Sequence, residues 1–341
     1  MRILIVDYLS FSGHRRFNKI HIEALAGLGH ELFFVGREGQ FPESPNSHFL
    51  CCPPERFFKD LPLQSISSRI QNILCLRWIY AHVKENKYDV VLFPTYDIIS
   101  LFFSPFKSSC IVINHNNIGQ LDSRIKAWMT RHLPKRIIHV ALDSVSRERL
   151  ESVVPEANVY MVPHGYDEPS HHTERPQWLQ DDRRFLFCPI NRNFDLEEVN
   201  ELFTDCRLSQ VLKDNNCCLY VKNCGIASNS VLKFIPASVP QKEYDYLIQN
   251  AQSVILPYSK SFRYRVSGIF FECLAANTSV IVPEIDAFTQ FRDFNVLVYS
   301  DAKTFVECVE SVLNNNYAKC DLSRLRPSQY WASVLSDLKI D

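Results

Sequence analysis

Short apolar runs alternate with segments of helical spacing along almost the whole of this 341-residue chain. Such alternation predicts parallel sheets with helices on their faces, because parallel neighbours need a long crossover and a helix supplies it. In the first half the runs are Ile3 to Val6, Glu31 to Val35, Val90 to Phe93, Ile111 to Asn114, Ile137 to Leu142 and Val159 to Val162. Between the first two, Ile20, Ile22, Leu25 and Leu28 mark a helix over Arg16 to Leu28 that Gly29 ends. Further amphipathic helices are expected over Leu63 to Glu85 and Ser123 to Leu133. Residues 166–184, rich in Pro, His, Asp and Glu, lack apolar periodicity and read as an interdomain linker. Strands resume at Phe185 to Cys188, Cys218 to Val221, Ser253 to Leu256 and Val280 to Val282. Helices are expected between them over Leu196 to Leu212, Gln241 to Asn250 and 267–276, and after them over Ala302 to Leu313 and Gln329 to Leu338. The resulting division is a first domain over 1–165, a linker over 166–184, a second domain over 185–325 and a terminal helix within 326–341.

A chain of this length usually makes about two domains. Apolar residues at 46%, charged residues at 22% and a net charge of -1 exclude disorder and bulk nucleic-acid binding. The 12 cysteines show no CxxC pair, so reduced thiols are expected rather than a disulfide framework or a zinc site. The run from Met1 to Asp7 turns polar too soon for a signal peptide or anchor. Val90 to Phe106 is broken by Pro94, Asp97 and Pro105 before it reaches the roughly 20 residues a bilayer requires. A cytoplasmic protein, soluble or peripheral to the membrane, is expected.

Candidate chemistry concentrates between Tyr258 and Pro283. Ser267 is a good helix N-cap, Gly268 opens the helix, and Asn277 can take the left-handed conformation that closes it before Val280 to Val282. The first amides of such a helix carry about half a positive charge, and Arg263 and Arg265 stand just upstream, so a diphosphate would be held by dipole and side chains together. Ile269, Phe270, Cys273 and Leu274 are expected on the packed face, which leaves Glu272 to reach a ligand hydroxyl. The same residues also fit an ordinary capped helix with solvated arginines and a surface carboxylate.

Elsewhere, His115 and Asn116 directly follow an apolar strand, and ligands collect outside the carboxyl ends of parallel strands. A histidine there either faces a ligand or closes the strand end against backbone. The loop Ser10-Phe-Ser-Gly-His14 follows the first strand, and Gly13 permits close approach of backbone to ligand. It lacks GxGxxG, which argues against a nicotinamide site. No HExxH, DxD, GxSxG or Walker pattern occurs, so neither a metal nor a phosphate-loop site is expected. Residues 123–136 place Arg124, Lys126, Arg131, Lys135 and Arg136 among Ile125, Trp128, Met129 and Leu133, which suits an anionic membrane surface or a core helix with a charged outer face.

The run Glu272-Cys-Leu-Ala-Ala-Asn-Thr-Ser-Val280 resembles the donor-binding helix of retaining GT-B glycosyltransferases of the family 4 (group 1) type. Asn158 to Gly165 resembles the family's turn at the domain junction, Val239 to Tyr246 the element preceding the next strand, and Gln329 to Ala332 the terminal helix that crosses back to the first domain. The resemblance covers nearly the full chain. It implies a GT-B fold, with two doubly wound Rossmann-like domains facing across a cleft: a first acceptor domain and a second donor domain. It further implies a hexosyltransferase that moves a sugar from a nucleotide-diphosphate sugar to a glycan or lipid-linked acceptor in polysaccharide assembly. No metal or other cofactor is expected, the nucleotide sugar being a co-substrate. By the same resemblance Glu272 would bind the ribose, His115 the transferred sugar, and Gly13 and His14 would lie between donor and acceptor. Arg192 would hold the diphosphate. Tyr264 stands where the family has a first glutamate and Glu197 where it has a lysine, so Lys222, Arg263 or Arg265 would supply the remaining charge. A non-catalytic GT-B protein that binds a glycan or partner, and a sugar-nucleotide epimerase, are the alternatives.

Overall fold

A computed structural model describes residues 1–9, 14–44, 46–58, 65–179, 182–189, 194–222, 228–236, 238–265, 267–315, 317 and 320–338. It divides into two compact units: Met1–Gly165 with Leu325–Asp341 (unit 1), and Tyr166–Arg324 (unit 2).

Unit 1 is built on strands β1 (Arg2–Val6), β2 (Glu31–Val35), β3 (Ser47–Cys51), β4 (Val90–Phe93), β5 (Cys110–Ile113), β6 (Ile137–Ala141) and β7 (Val159–Met161). They form one sheet in the order β3-β2-β1-β4-β5-β6-β7, parallel throughout. Unit 2 holds β8 (Arg184–Cys188), β9 (Cys217–Lys222), β10 (Leu232–Ile235), β11 (Ser253–Ile255), β12 (Ser279–Pro283) and β13 (Val296–Tyr299), ordered β10-β9-β8-β11-β12-β13 and again parallel. The strand order reverses between β1 and β4 in one unit and between β8 and β11 in the other. Central strands such as β4, β5 and β12 are buried along their whole length, the condition under which a strand reads as an unbroken apolar run.

The expected central strands are present. The sequence reading missed β3, β10 and β13, which lie at sheet edges and carry partly exposed residues. The helix expected over Leu196 to Leu212 is two helices, Leu196–Thr204 and Cys206–Asp214. Asp205 is extended between them, and its carboxylate accepts from the Arg207 amide to cap the second. The helix expected over Leu63 to Glu85 is shorter, Ile66–His82, with Ser65 accepting from the Ser68 amide at its start.

The terminal helix Pro327–Ser336 completes the core of unit 1. Trp331, Val334 and Leu335 pack with Ile3, Ile5, Phe17 and Leu25. The Trp331 indole, fully buried, donates to His21 Nδ1 at 3.1 Å. Gly165 is where the chain leaves β7 for unit 2, at φ +75°, and a Cβ there would come within 2.5 Å of Ile20 and 2.7 Å of Pro327. From that point the chain is tied to unit 2, where Gln249 donates to the Ser170 carbonyl and the Glu174 amide to that of Lys242.

Gly165→Ala combines a left-handed backbone with a clash against Ile20 and Pro327, and is expected to destabilise the protein by about 2–4 kcal/mol. Urea unfolding of the variant beside the parent checks this; an unchanged midpoint would contradict the assignment of strain to this glycine.

Candidate functional site

Parallel strands end together, so the loops beyond their carboxyl ends share one edge of each sheet, and the reversal in strand order opens a crevice there. In unit 1 the loops at the reversal follow β1 and β4, and the loop after β5 is their neighbour. Asp7, just beyond β1, is buried and accepts from Asn18 Nδ2 at 2.8 Å and from the Thr95 hydroxyl at 2.7 Å. It therefore fixes the strand end, the Arg15–Gly27 helix and the β4 loop to one another. Beyond β5, Asn114 Nδ2 donates to the carbonyls of Val112 and Val140, while its oxygen accepts from the Tyr96 hydroxyl. Asn117 donates to the Tyr96 carbonyl at 2.8 Å. These two asparagines anchor the loop, and His115 and Asn116 lie between them, half-buried and exposed respectively.

The structure brings His14, His115 and Asn116 together. The His14 and His115 rings are 4.9 Å apart, and Asn116 Nδ2 is 3.5 Å from His14 Nε2. Phe17 is the common platform: its ring is 4.6 Å from His115 edge-on, 5.0 Å from His164 and 4.5 Å from His21. His164, which the sequence reading did not single out, is 5.4 Å from His115. Its signal was available, since it follows the last strand of unit 1 just as His115 follows β5. Burial pushes the His164 imidazole down to about 4 and His21 to about 3, and burial also lowers His14, against the pull of Asp7. His164 Nδ1 faces the Gly165 carbonyl at 3.0 Å, which suits a proton on that nitrogen. Burial thus biases His14, His21 and His164 to the neutral imidazole around the shared Phe17 ring, and a neutral imidazole both donates and accepts a hydrogen bond without adding charge. Gly13 lies outside the described residues.

In unit 2 the loops at the reversal follow β8 and β11. Arg192, after β8, lies outside the described residues. Beyond β11, Tyr258 is buried in an aromatic stack, with Phe262 at 4.3 Å, Phe288 at 5.4 Å and Phe194 edge-on at 4.9 Å. That stack holds the base of the loop carrying Arg263, Tyr264 and Arg265. The Arg263 guanidinium lies 4.7 Å from the centre of the Tyr264 ring, and Arg265 lies 5.9 Å from that of Phe262, with burial lowering its pKa.

The helix Gly268–Ala275 follows. Ser267 accepts from the Ile269 amide at 3.3 Å, and a Cβ on Gly268 would meet nothing within 4 Å, so there is free space beside the first residue of the helix. Asn277 at φ +57° closes the helix; its amide donates to the Leu274 carbonyl and that of Thr278 to Cys273, a Schellman end. The packed face is Phe270, Phe271, Cys273 and Leu274. Phe271 rather than the half-buried Ile269 belongs to it, because the β12 side and the Phe291 ring, 5.7 Å from Phe271, take that position. Glu272 is half-buried on the remaining face, and Lys222, also half-buried, ends β9. Among the described residues no group of three or more His, Cys, Asp or Glu side chains could hold a metal ion. A separate depression of about 890 Å³ in unit 1, lined by Arg15, Lys19, Glu38, Phe41, Glu43 and Phe49, mixes both charges and selects no ligand class.

No family model matches the chain, and no curated protein matches it. Solved structures do. Sucrose-phosphate synthase from Thermosynechococcus elongatus matches with a TM-score of 0.64 at 11% identity over 99% of this chain and 100% of that one. WaaG, a glycosyltransferase involved in lipopolysaccharide biosynthesis, gives 0.57 at 13% identity over 100% and 96%. UDP-GlcNAc 2-epimerase from Methanocaldococcus jannaschii gives 0.59 at 11% over 98% and 99%. Identities this low establish the fold and no more: two Rossmann-like parallel-sheet units, the GT-B fold.

His21, His139 and His164 are buried with imidazoles held down to about 3, 4 and 4, against 6.5 for a free histidine. The unfolded chain therefore takes up protons that the folded one refuses, and stability present above about 6.5 is lost as pH falls toward 4, on the order of 2 kcal/mol for each histidine. Urea unfolding across mildly acid pH is expected to show this decline, and a flat profile would overturn the assignment of neutral buried imidazoles.

Proposed function

We propose that this chain is a glycosyltransferase of the hexosyltransferase type, which moves a sugar from a nucleotide-diphosphate sugar to a glycan or lipid-linked acceptor with retention and without a metal ion. The observation that carries the reading is the start of the Gly268–Ala275 helix: a Ser-capped terminus with free space beside Gly268 and arginines on the preceding loop, next to the strand-order reversal of a GT-B unit. Likeness in fold to sucrose-phosphate synthase and to WaaG supports the same reading. On it, the helix amides with Arg263, Arg265, Lys222 and Arg192 neutralise the diphosphate, which offsets charge that a metal would otherwise balance. Glu272 accepts from the ribose hydroxyls, and Tyr264 takes part in sugar choice where a carboxylate would otherwise stand. In unit 1, His115 with His14, Asn116 and Gly13 positions the transferred sugar and the acceptor. As the bond from the anomeric carbon to the leaving phosphate breaks, that phosphate takes the acceptor's proton, and the acceptor oxygen bonds to the same face of the sugar. His115 then orients the sugar and is not the base. The acceptor unit lies at the inner face of the membrane, with residues 123–136 at the lipid surface, and the pathway is assembly of a surface polysaccharide or glycan.

A panel of nucleotide sugars, assayed for turnover with and without acceptor glycans, tests the reading. Glu272→Ala is expected to weaken donor binding about tenfold, the loss of a hydrogen bond to a charged group, and His115→Ala to lower kcat on the order of a hundredfold with little change in donor affinity. Unchanged kinetics in both variants would remove the site. An epimerised donor would instead favour the chemistry of the Methanocaldococcus neighbour, and binding without turnover a non-catalytic role.

A further inference from the structure

Unit 1 leaves a group of large apolar side chains in water. On the Ile66–His82 helix, Ile66, Ile70 and Leu74 are 76%, 52% and 49% exposed and fall on one stripe by helical spacing. On the Arg124–Arg131 helix, Ile125 and Trp128 are 71% and 53% exposed, and Phe103, which ends the Ile98–Phe102 helix, is 52% exposed. The opposite faces of the same helices are packed, through Cys75, Leu76 and Ile79 on the first and Met129 and Thr130 on the second. The Ile98–Phe102 helix packs against both of the others. The Phe102 ring is 5.8 Å from Trp128 and 5.3 Å from Phe103. Arg69 on the first helix is near enough to Lys126 on the third to add to the burial that lowers its pKa. The exposed residues therefore lie on three mutually supporting elements.

The charge on those elements is mainly cationic. Residues 65–83, 98–109 and 123–136 contain no aspartate or glutamate, in a chain whose net charge is -1; the acidic groups adjoining them are Asp97, which caps the Ile98–Phe102 helix, and Asp122, which pairs with Arg149. Arg124 and Arg131, both exposed, bracket Ile125 and Trp128. Isolated exposed apolar residues need no explanation, but a set of this kind in a predominantly cationic setting does. Nucleic acid would use the cations and leave the isoleucines and leucine idle; a second copy of the chain would bring like charges face to face.

We propose that this face docks unit 1 on an anionic lipid bilayer, with the aliphatic and aromatic side chains entering the boundary between headgroups and acyl chains and the cations meeting lipid phosphates. The proposal deepens the membrane contact of residues 123–136 by adding the Ile66–Leu74 stripe and Phe103, but its evidence is exposure and charge and owes nothing to the donor site.

The whole chain is mixed with phosphatidylcholine vesicles with and without phosphatidylglycerol and sedimented, with no nucleotide sugar present, so that failure here leaves the transferase reading untouched. Binding is expected only to the anionic vesicles, weakening about tenfold as added salt shortens the Debye length from about 10 to 3 Å. The double variant Ile125→Ser with Trp128→Ser is expected to bind about tenfold less tightly or worse, and Arg124→Glu with Arg131→Glu to lose the preference for anionic lipid. Brominated lipid should quench the parent's tryptophan fluorescence and should quench Trp128→Phe much less, a readout that holds even if the double variant folds poorly. Absence of binding to anionic vesicles, binding indifferent to both double variants, or a dimer in light scattering that the Ile125 and Trp128 changes dissolve would each overturn the proposal.

Discussion

The parallel ladder is the constraint on which everything else in this molecule depends. Parallel strands cannot be joined by tight turns, so every connection must return along the sheet, and the helices that make those returns bury both faces of the sheet. The same arrangement sends every strand's carboxyl end to one edge. Asp7, His115 and His164 are distant in sequence yet share a location because each follows a strand of one parallel sheet. The Tyr258 loop and the Gly268–Ala275 helix follow β11 and precede β12 for the same reason.

Holding polar loops at a buried edge requires partners, and unit 1 meets that need with side chains that perform no chemistry of their own. Asp7 binds Asn18 and Thr95, while Asn114 and Asn117 clasp the Tyr96 segment. Each is a buried polar group whose alternative is an unsatisfied hydrogen bond. The imidazoles are placed by aromatic packing on Phe17, and through His21 that packing reaches the Trp331 indole of the terminal helix. The terminal helix is therefore part of the support beneath the histidine cluster, although the chain makes all of unit 2 before reaching it.

Unit 2 solves a different electrostatic problem. Its candidate anion site is a helix terminus, whose partial charge is fixed by the backbone, with guanidinium groups on an aromatic-backed loop beside it. Such charge requires no reorganisation when a ligand arrives. The Ser267 cap and the Asn277 closure delimit a short helix with free space beside its first residue.

Much of this was legible in the residues. The central strands declared themselves as apolar runs because they are buried on both faces, and Ser267 and Asn277 marked the ends of their helix because capping and left-handed closure restrict residue type. The edge strands β3, β10 and β13 were not legible, since a half-exposed strand need not be apolar throughout. Nor was the break at Asp205, where one carboxylate capping a new helix outweighs a continuous helical pattern. Sequence by itself determined the βα alternation, the parallel class of the sheets and the strand-end positions of His115 and Glu272's helix, because burial period and cap chemistry are local properties. Only the tertiary structure decided that His14, His115 and His164 share Phe17, that Trp331 reaches back to His21, and that the apolar residues of three separate helices share a cationic setting. Those are contacts between distant segments, set by how the sheet brings its crossovers together, and no spacing along the chain encodes them.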